Sequence, residues 1–477
     1  MAKFRMTVLA ASVLLFASAG AAASESDKLI ELLIQKQILT RAEADAIKAE
    51  AAAEKESNRV PLVGQELGYE PTAPLPVDEG AKIHVRRFGV ETADGSERFR
   101  IRGRVQLDAG IQDFSDDLLR VAREDGLADY GVTIRRLRLG ALGLMRERFE
   151  WQLEVDFSEN AVAIDNTYMG YLMDHGGIVK AGVFKEPFTL EYDTSSRYTT
   201  FMERSAAVDA FKVDKEPGVM YQTLQPNYHF SFGLFGSGLA FERNLTEGYS
   251  VAGRGTFAPY LEGDDFVHVG ASINYRQNAK DEVGDFYRPL RLRTREGTRT
   301  IDARLVGRDD LQGVSDFTRY GVEFAAGKGP WWMQAEYIKV DLNLDPTRVA
   351  PGESFNVGEP SITQDGWYVH TGYYLTGESR QYRATGGDFG NLRPNSNFNP
   401  SEGTYGAFEV AFGYSMADGR EHTRIGRGQR QDRYTLGLNW FLTPEAMFKF
   451  NVIYLEGERA GLTGDGWMYG MRGQYMF

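Results

Sequence analysis

From residue 82 to the C-terminus, apolar and polar residues alternate at every second position between short turns and polar loops. The segment FEWQLEVDF sets Phe149, Trp151, Leu153, Val155 and Phe157 against Glu150, Gln152, Glu154 and Asp156. Tyr434, Leu436, Leu438 and Trp440 alternate with Thr435, Gly437 and Asn439, and Phe448, Phe450, Val452 and Tyr454 with Lys449 and Asn451. In the last segment Trp467, Tyr469, Met471, Gly473, Tyr475 and the terminal Phe477 oppose Arg472 and Gln474. A period of two is that of a β-strand, whose side chains point to opposite faces in turn. About sixteen strands are predicted, near 98–113, 131–144, 149–158, 161–173, 177–184, 217–225, 228–236, 249–258, 265–276, 317–327, 331–342, 364–375, 403–416, 431–442, 446–456 and 466–477. Short turns such as Arg146-Glu147 and Gly329-Pro330 follow even strands, and long connections at 114–130, 185–216, 277–316 and 343–363 follow odd ones. The connection at 376–402 is the exception, long where a short turn is expected. An even strand count, one apolar face per strand and aromatics at strand ends predict an all-β, 16-stranded antiparallel transmembrane β-barrel with a short N-terminal helical extension. A β-sandwich would alternate too. Export, the absence of cysteine and the aromatic last residue weigh against it.

The first residues set the compartment. Lys3 and Arg5 precede the apolar run Met6 to Ala19 and then Ala21-Ala22-Ala23, the pattern of a signal peptide (1–23) cleaved after Ala23. No later segment has the 18 consecutive apolar residues of a membrane-spanning helix, so a membrane location requires a closed barrel. The expected location is the bacterial outer membrane, with its lipid around the wall. Residues 24–58 read as a helical extension, with a stripe of Leu29, Leu32, Leu33, Ile38 and Leu39 and a capping box from Thr40 to Glu43. A coiled-coil oligomerisation helix and a two-helix appendage both fit that stripe. A linker at 59–81 holds Pro61, Pro71, Pro74 and Pro76, and the barrel takes 82–477.

Charge then gives the interior a character. The chain carries a formal charge of −13, which speaks against a nucleic-acid partner, and no cysteine, which excludes thiolate chemistry. Yet 40 of its 54 basic residues are Arg, and they cluster. In RFRIRGR, Arg98, Arg100, Arg102 and Arg104 occupy one strand face, and RLRTR repeats the spacing at Arg291, Arg293 and Arg295. The loop 277–316 adds Arg288, Arg299, Arg304 and Arg308. Arg136 and Arg138 share the lining face of the second strand, where the acids Glu150, Glu154 and Asp156 of the third strand can pair with wall arginines. A luminal arginine column is a track for small anions. The histidines His84, His175, His229, His268, His370 and His422 show no ligand or triad spacing, and no glycine-rich phosphate loop opens a helix. No cofactor, metal or catalytic centre is expected, which leaves an outer-membrane hydrolase or adhesin as distant alternatives.

Several blocks together resemble the phosphate-selective porin O and P family: GVFKEPFTLEYDTSSRYTTFMERS at 182–205, GRVQLDAG, TIRRLRLG, YYLTGESRQY, GAFEVAFGYS, TLGLNWFL and the N-terminal IELLIQKQILTRAEADAI. The resemblance implies a homotrimeric 16-stranded anion channel for phosphate or polyphosphate, narrowed by inward-folded loops and by a periplasmic turn, which would explain 376–402. It further implies that Arg104, Arg135 and Arg136 form the constriction with Asp165 on the fourth strand, and that Arg291, Arg293 and Arg295 form a ladder leading to it. Beside the arginines, Asp165 would accept a hydrogen bond from a protonated phosphate. Two positions depart from the pattern. Tyr192 stands where a loop lysine is expected, and Arg138 where an aromatic is common; Lys185 is positioned to restore the missing charge. A less selective porin for other small anionic solutes is the rival reading.

Overall fold

The structure, a computed structural model, describes residues 82–84, 88–122, 129–158, 162–238, 248–280, 286–300, 304–306, 311–348, 361–420 and 429–477. The signal peptide, helical extension and linker expected at 1–23, 24–58 and 59–81 lie outside these residues. Two compact units are distinguished: one spans Leu62–Asn395 and Gly406–Phe477, and the other includes Ser396–Tyr405. In the latter, Asn399 and Thr404 exchange backbone hydrogen bonds around a 3-10 turn at Pro400–Glu402, closed by Gly403 in the left-handed region.

The larger unit is a barrel of sixteen strands. They are β1 (Arg98–Phe114), β2 (Tyr130–Met145), β3 (Phe149–Asp156), β4 (Thr167–Met173), β5 (Gly177–Lys185), β6 (Lys215–Thr223), β7 (Tyr228–Phe235) and β8 (Tyr249–Glu262). They continue as β9 (Asp265–Gln277), β10 (Val314–Lys328), β11 (Trp331–Leu344), β12 (Ser361–Tyr374), β13 (Ala407–Asp418), β14 (Gln429–Phe441), β15 (Ala446–Arg459) and β16 (Leu462–Met476). Each pairs antiparallel with its chain neighbours, and β16 pairs with β1 to close the ring. All sixteen expected strands are present. Two details differ from expectation. The fourth strand is interrupted, with Ala163–Ile164 pairing on β3 before β4 proper begins. The connection from β15 to β16, expected to take up 457–465, is the two-residue turn Ala460-Gly461, both at positive φ.

The wall is sided. On β7, Tyr228, Phe230, Phe232 and Leu234 are exposed while His229 and Ser231 between them are buried. On β3 the same holds for Phe149 and Leu153 against Glu150, Gln152 and Glu154. Apolar outside and polar inside inverts the order of a water-soluble protein and suits a wall set in lipid, where closure leaves no backbone group unpaired. No helix among the described residues is long and apolar enough to cross a membrane.

Loops fill the lumen, and the first of them carries a short helix, α1 (Asp116–Ala122). The third loop (186–214) carries two short helices, α2 (Leu190–Asp193) and α3 (Ala206–Phe211), the second capped by the Ser205 hydroxyl, which accepts from the Val208 N–H at 3.2 Å. Phe188, Val208 and Phe211 pack on the inward Ile338, Val340 and Leu342 of β11. Beyond α2 the loop follows the inner wall, its backbone held by Asn439, Asn451 and Gln474 side chains. The connection after β12, the sequence exception, folds inward too: Arg254 donates to the Gly386 and Gly387 carbonyls at 3.2 and 2.6 Å, and Arg380 to that of Tyr198. The fifth loop (278–313) descends to meet a row of glycines. Gly131, Gly110 and Gly470 face one another across β2, β1 and β16. A Cβ on Gly131 would lie 2.2 Å from the Thr300 carbonyl oxygen, and one on Gly110 2.3 Å from its hydroxyl. Side chains there would exclude the loop.

Candidate functional site

Strict alternation would send Arg135 and Arg136 to opposite faces. A β-bulge prevents it. Gln106 pairs with Arg136 and Leu107 with Ile134, so Arg135 is the extra residue of β2 and both guanidiniums enter the lumen. Arg104 of β1 lies directly opposite Arg138 of β2, a cross-strand pair of like charges that costs stability unless compensated. The compensation comes from the third strand and its successor. Arg138 contacts Asp156 at 2.6 Å and Glu154 at 3.6 Å, and is bonded to Asp165. Arg102 reaches Glu154 at 3.1 Å, and Arg197 of the third loop reaches the same carboxylate at 3.0 Å. The expected cross-strand neutralisation by acids is therefore present for Arg102 and Arg138. Glu150 accepts from the Tyr168 hydroxyl.

Arg104 and Arg136 are placed differently. Arg104 is 3% exposed and donates to the Ser196 hydroxyl at 2.9 Å; among the described residues no carboxylate lies within salt-bridge distance of it. Arg136 donates to Gln106 Oε1 at 2.7 Å and has a carboxylate, Glu203, only at 3.9 Å. Arg135 holds both oxygens of Glu203, at 2.7 and 3.1 Å. Arg472 of β16 adds a contact to Glu203 at 2.8 Å while gripping both oxygens of Asp108 at 2.7 Å. Burial in the loop pushes the Glu203 carboxyl up, but Arg135, Arg136 and Arg472 outweigh that and hold it well below the usual carboxylate range.

The remaining expected residues divide. Asp165 lies in the break before β4, its two oxygens engaged by Lys215 and by Arg138, so its carboxylate is committed to protein cations. Lys185 turns its ammonium onto three third-loop carbonyls, Tyr192 at 2.5 Å, Asp193 at 3.1 Å and Thr194 at 3.5 Å. That is a brace for the end of α2, in place of the replacement charge the sequence suggested. Tyr192 is buried between two cations, with Lys185 5.0 Å and Arg204 5.3 Å from its ring centre. In the fifth loop Arg291 is exposed and Arg293 and Arg295 half-buried, while the alternate residues Leu292, Thr294 and Glu296 are buried. The two-residue spacing thus survives in extended chain outside any strand. The Asp209 carboxylate holds the Arg295 N–H at 2.9 Å and ties this run to the third loop.

Glu203, Arg472, Asp108 and Lys215 were not singled out in the sequence. Arg472 and Asp108 were findable, because ring closure in antiparallel register sets residue 472 opposite residue 108. Glu203 sits in a loop, where no periodicity indicates direction.

A closed sixteen-strand wall, apolar outside and with loops folded into a polar interior, defines an outer-membrane porin, a channel former rather than an enzyme. The phosphate-selective porin O and P family matches residues 99–477, and the chain belongs to it. It is similar to porin O of Pseudomonas aeruginosa, 27% identical over 444 residues that cover 84% of this chain and 93% of that one. It is also similar to an uncharacterized protein of Caulobacter vibrioides, 29% identical over 376 residues covering 77% and 70%. Among solved structures, the anion-selective porin from Comamonas acidovorans aligns with 80% of this chain and all of its own, at a TM-score of 0.46 and 12% identity.

Proposed function

We propose that this porin passes small anions in preference to cations, with Arg104, Arg135 and Arg136 as the core of its selective site and phosphate or polyphosphate as the solute. The observation that carries this reading is Arg104: a buried guanidinium that, among the described residues, donates to the Ser196 hydroxyl, has no carboxylate within salt-bridge distance and is set opposite a second arginine. A buried positive charge without a counter-charge is costly, and an anion from solution relieves it. Arg293 and Arg295 would deliver anions from the loop end, with exposed Arg291 as the mouth, and Arg138 with Asp165 would form a pre-neutralised flank. Anions in such a channel exchange water for guanidinium contacts at successive sites, each weak enough to release. In this reading the chain is exported, loses its leader after Ala23 and assembles as a homotrimer in outer-membrane lipid.

The test is planar-bilayer recording on the purified channel. A reversal potential in a potassium chloride gradient that reports anion preference, together with a conductance that saturates in phosphate, supports the reading; cation preference ends it. A second reading, a less selective porin for small anionic solutes, draws support from Lys185 and Tyr192. The loop lysine expected to bind is absent, and its nearest substitute is spent on carbonyls. Anion preference without saturation would favour that alternative.

A further inference from the structure

We infer that Glu203 is a tethered counter-anion, a carboxylate of the protein's own that occupies the arginine site and sets how tightly passing anions are held. The inference rests on the anion-channel reading. Glu203 receives Arg135 through two parallel bonds at 2.7 and 3.1 Å, the fork geometry by which a guanidinium recognises a carboxylate or phosphate in solution. Arg472 shares one of its oxygens at 2.8 Å, and Arg136 and Arg299 each stand 3.9 Å away. β2, the last strand and the fifth loop thus converge on one loop carboxylate.

The loop holds Glu203 in this place from both sides. The Met202 N–H donates to Asn451 at 2.9 Å, Arg472 donates to the Met202 carbonyl, and Arg433 donates to that of Arg204. The carboxylate is presented to the arginines as a substrate would be, but on a fixed leash. It is not sealed off, since its side chain keeps 10% exposure, Arg135 11% and Arg299 21%. Four guanidiniums, Arg135, Arg136, Arg299 and Arg472, meet three carboxylates, Glu203, Asp108 and the nearby Asp209, and Asp108 is locked on Arg472 by both oxygens. The site keeps excess positive charge, and Glu203 is the member that an arriving anion must displace or share.

Such a resident competitor weakens binding and speeds exchange, as conduction requires. Replacing it by a neutral group should convert a passing site into a holding one. The chain has no cysteine, which allows a test within one folded channel. Glu203→Cys is recorded in bilayers with inorganic phosphate titrated into chloride, before and after a methanethiosulfonate reagent bearing a sulfonate, or a neutral methyl reagent. The expected result is a half-saturating phosphate concentration at least about tenfold lower than wild type. The sulfonate reagent should return it towards wild type and the methyl reagent should not. An unchanged half-saturation in Glu203→Cys, or equal effects of the two reagents, overturns the inference. A wild-type channel that prefers cations would instead overturn the anion-channel reading itself, so the two failures are told apart.

Discussion

At the scale of single residues, the inner wall sets like charges side by side and then answers some of them. Arg138 is answered by Asp156, Glu154 and Asp165, while Arg104 meets, among the described residues, the Ser196 hydroxyl and no carboxylate within salt-bridge distance. Removing the unanswered charges should therefore cost selectivity more than stability. For Arg104→Ala with Arg136→Ala we expect the anion-to-cation permeability ratio to fall several-fold, read from the reversal potential in a salt gradient. Glu296 of the fifth loop supplies a pH effect. Its carboxyl is buried, one oxygen accepting from Thr298 at 3.2 Å and the other without a partner, and burial pushes it up to about 8 against the pull of Arg295 and Arg299. The folded chain thus holds this proton more tightly than the unfolded chain, whose glutamate titrates near ~4.3. Stability falls as pH rises from that value to about 8 and levels off above it. The same ionisation sets a negative charge among arginines, so chloride conductance should drop between pH 7 and 9, and Glu296→Gln should flatten the profile. Residues on regular strands were legible in advance because alternation assigns their side: Arg104, Arg136 and Arg138 all face the lumen. Arg135 was not legible by that rule, since its direction depends on a bulge.

At the scale of elements, strands and loops differ in how they are specified. A strand's face is written in its own sequence at every second residue, so all sixteen could be placed before the structure was known. A loop inside the barrel is specified by what meets it, and those partners lie far away in sequence. Glu336 of β11 accepts from the first N–H groups of α2 at 2.9 and 2.6 Å, and Lys185 binds the carbonyls at its other end. A four-residue helix has little stability of its own, so these two side chains define it. Lys185→Met should cost about 2–4 kcal/mol through carbonyls left unpaired, seen as a lower unfolding temperature and noisier open-channel current. The glycine row is a test of the fifth loop. Gly131→Val should push Thr300 off the wall, carry Arg295 and Arg299 out of place and lower anion selectivity, while strand content by circular dichroism stays unchanged.

At the scale of the whole molecule, closure is the organising event. The Phe477 backbone exchanges hydrogen bonds with Gly103 at 3.0 and 3.1 Å, and its ring fills the space a Cβ on Gly103 would occupy. A short strand, Gly89–Glu91, pairs with β1 at Arg98–Arg100, and Phe88 packs edge-on against Phe477 at 5.4 Å. Deleting Phe477 removes two backbone bonds worth about 1 kcal/mol each along with the ring, and should lower the yield of closed barrel several-fold, measured as the fraction that stays compact on unheated gels. The join between first and last strands has a consequence in time as well as in space. Arg472 belongs to the last strand, yet Asp108 of the first strand, Glu203 of the third loop and the β2 arginines gather around it. Until β16 closes on β1, the charge around which these groups gather is missing, so in the proposed channel the wall and the filter are completed in one step.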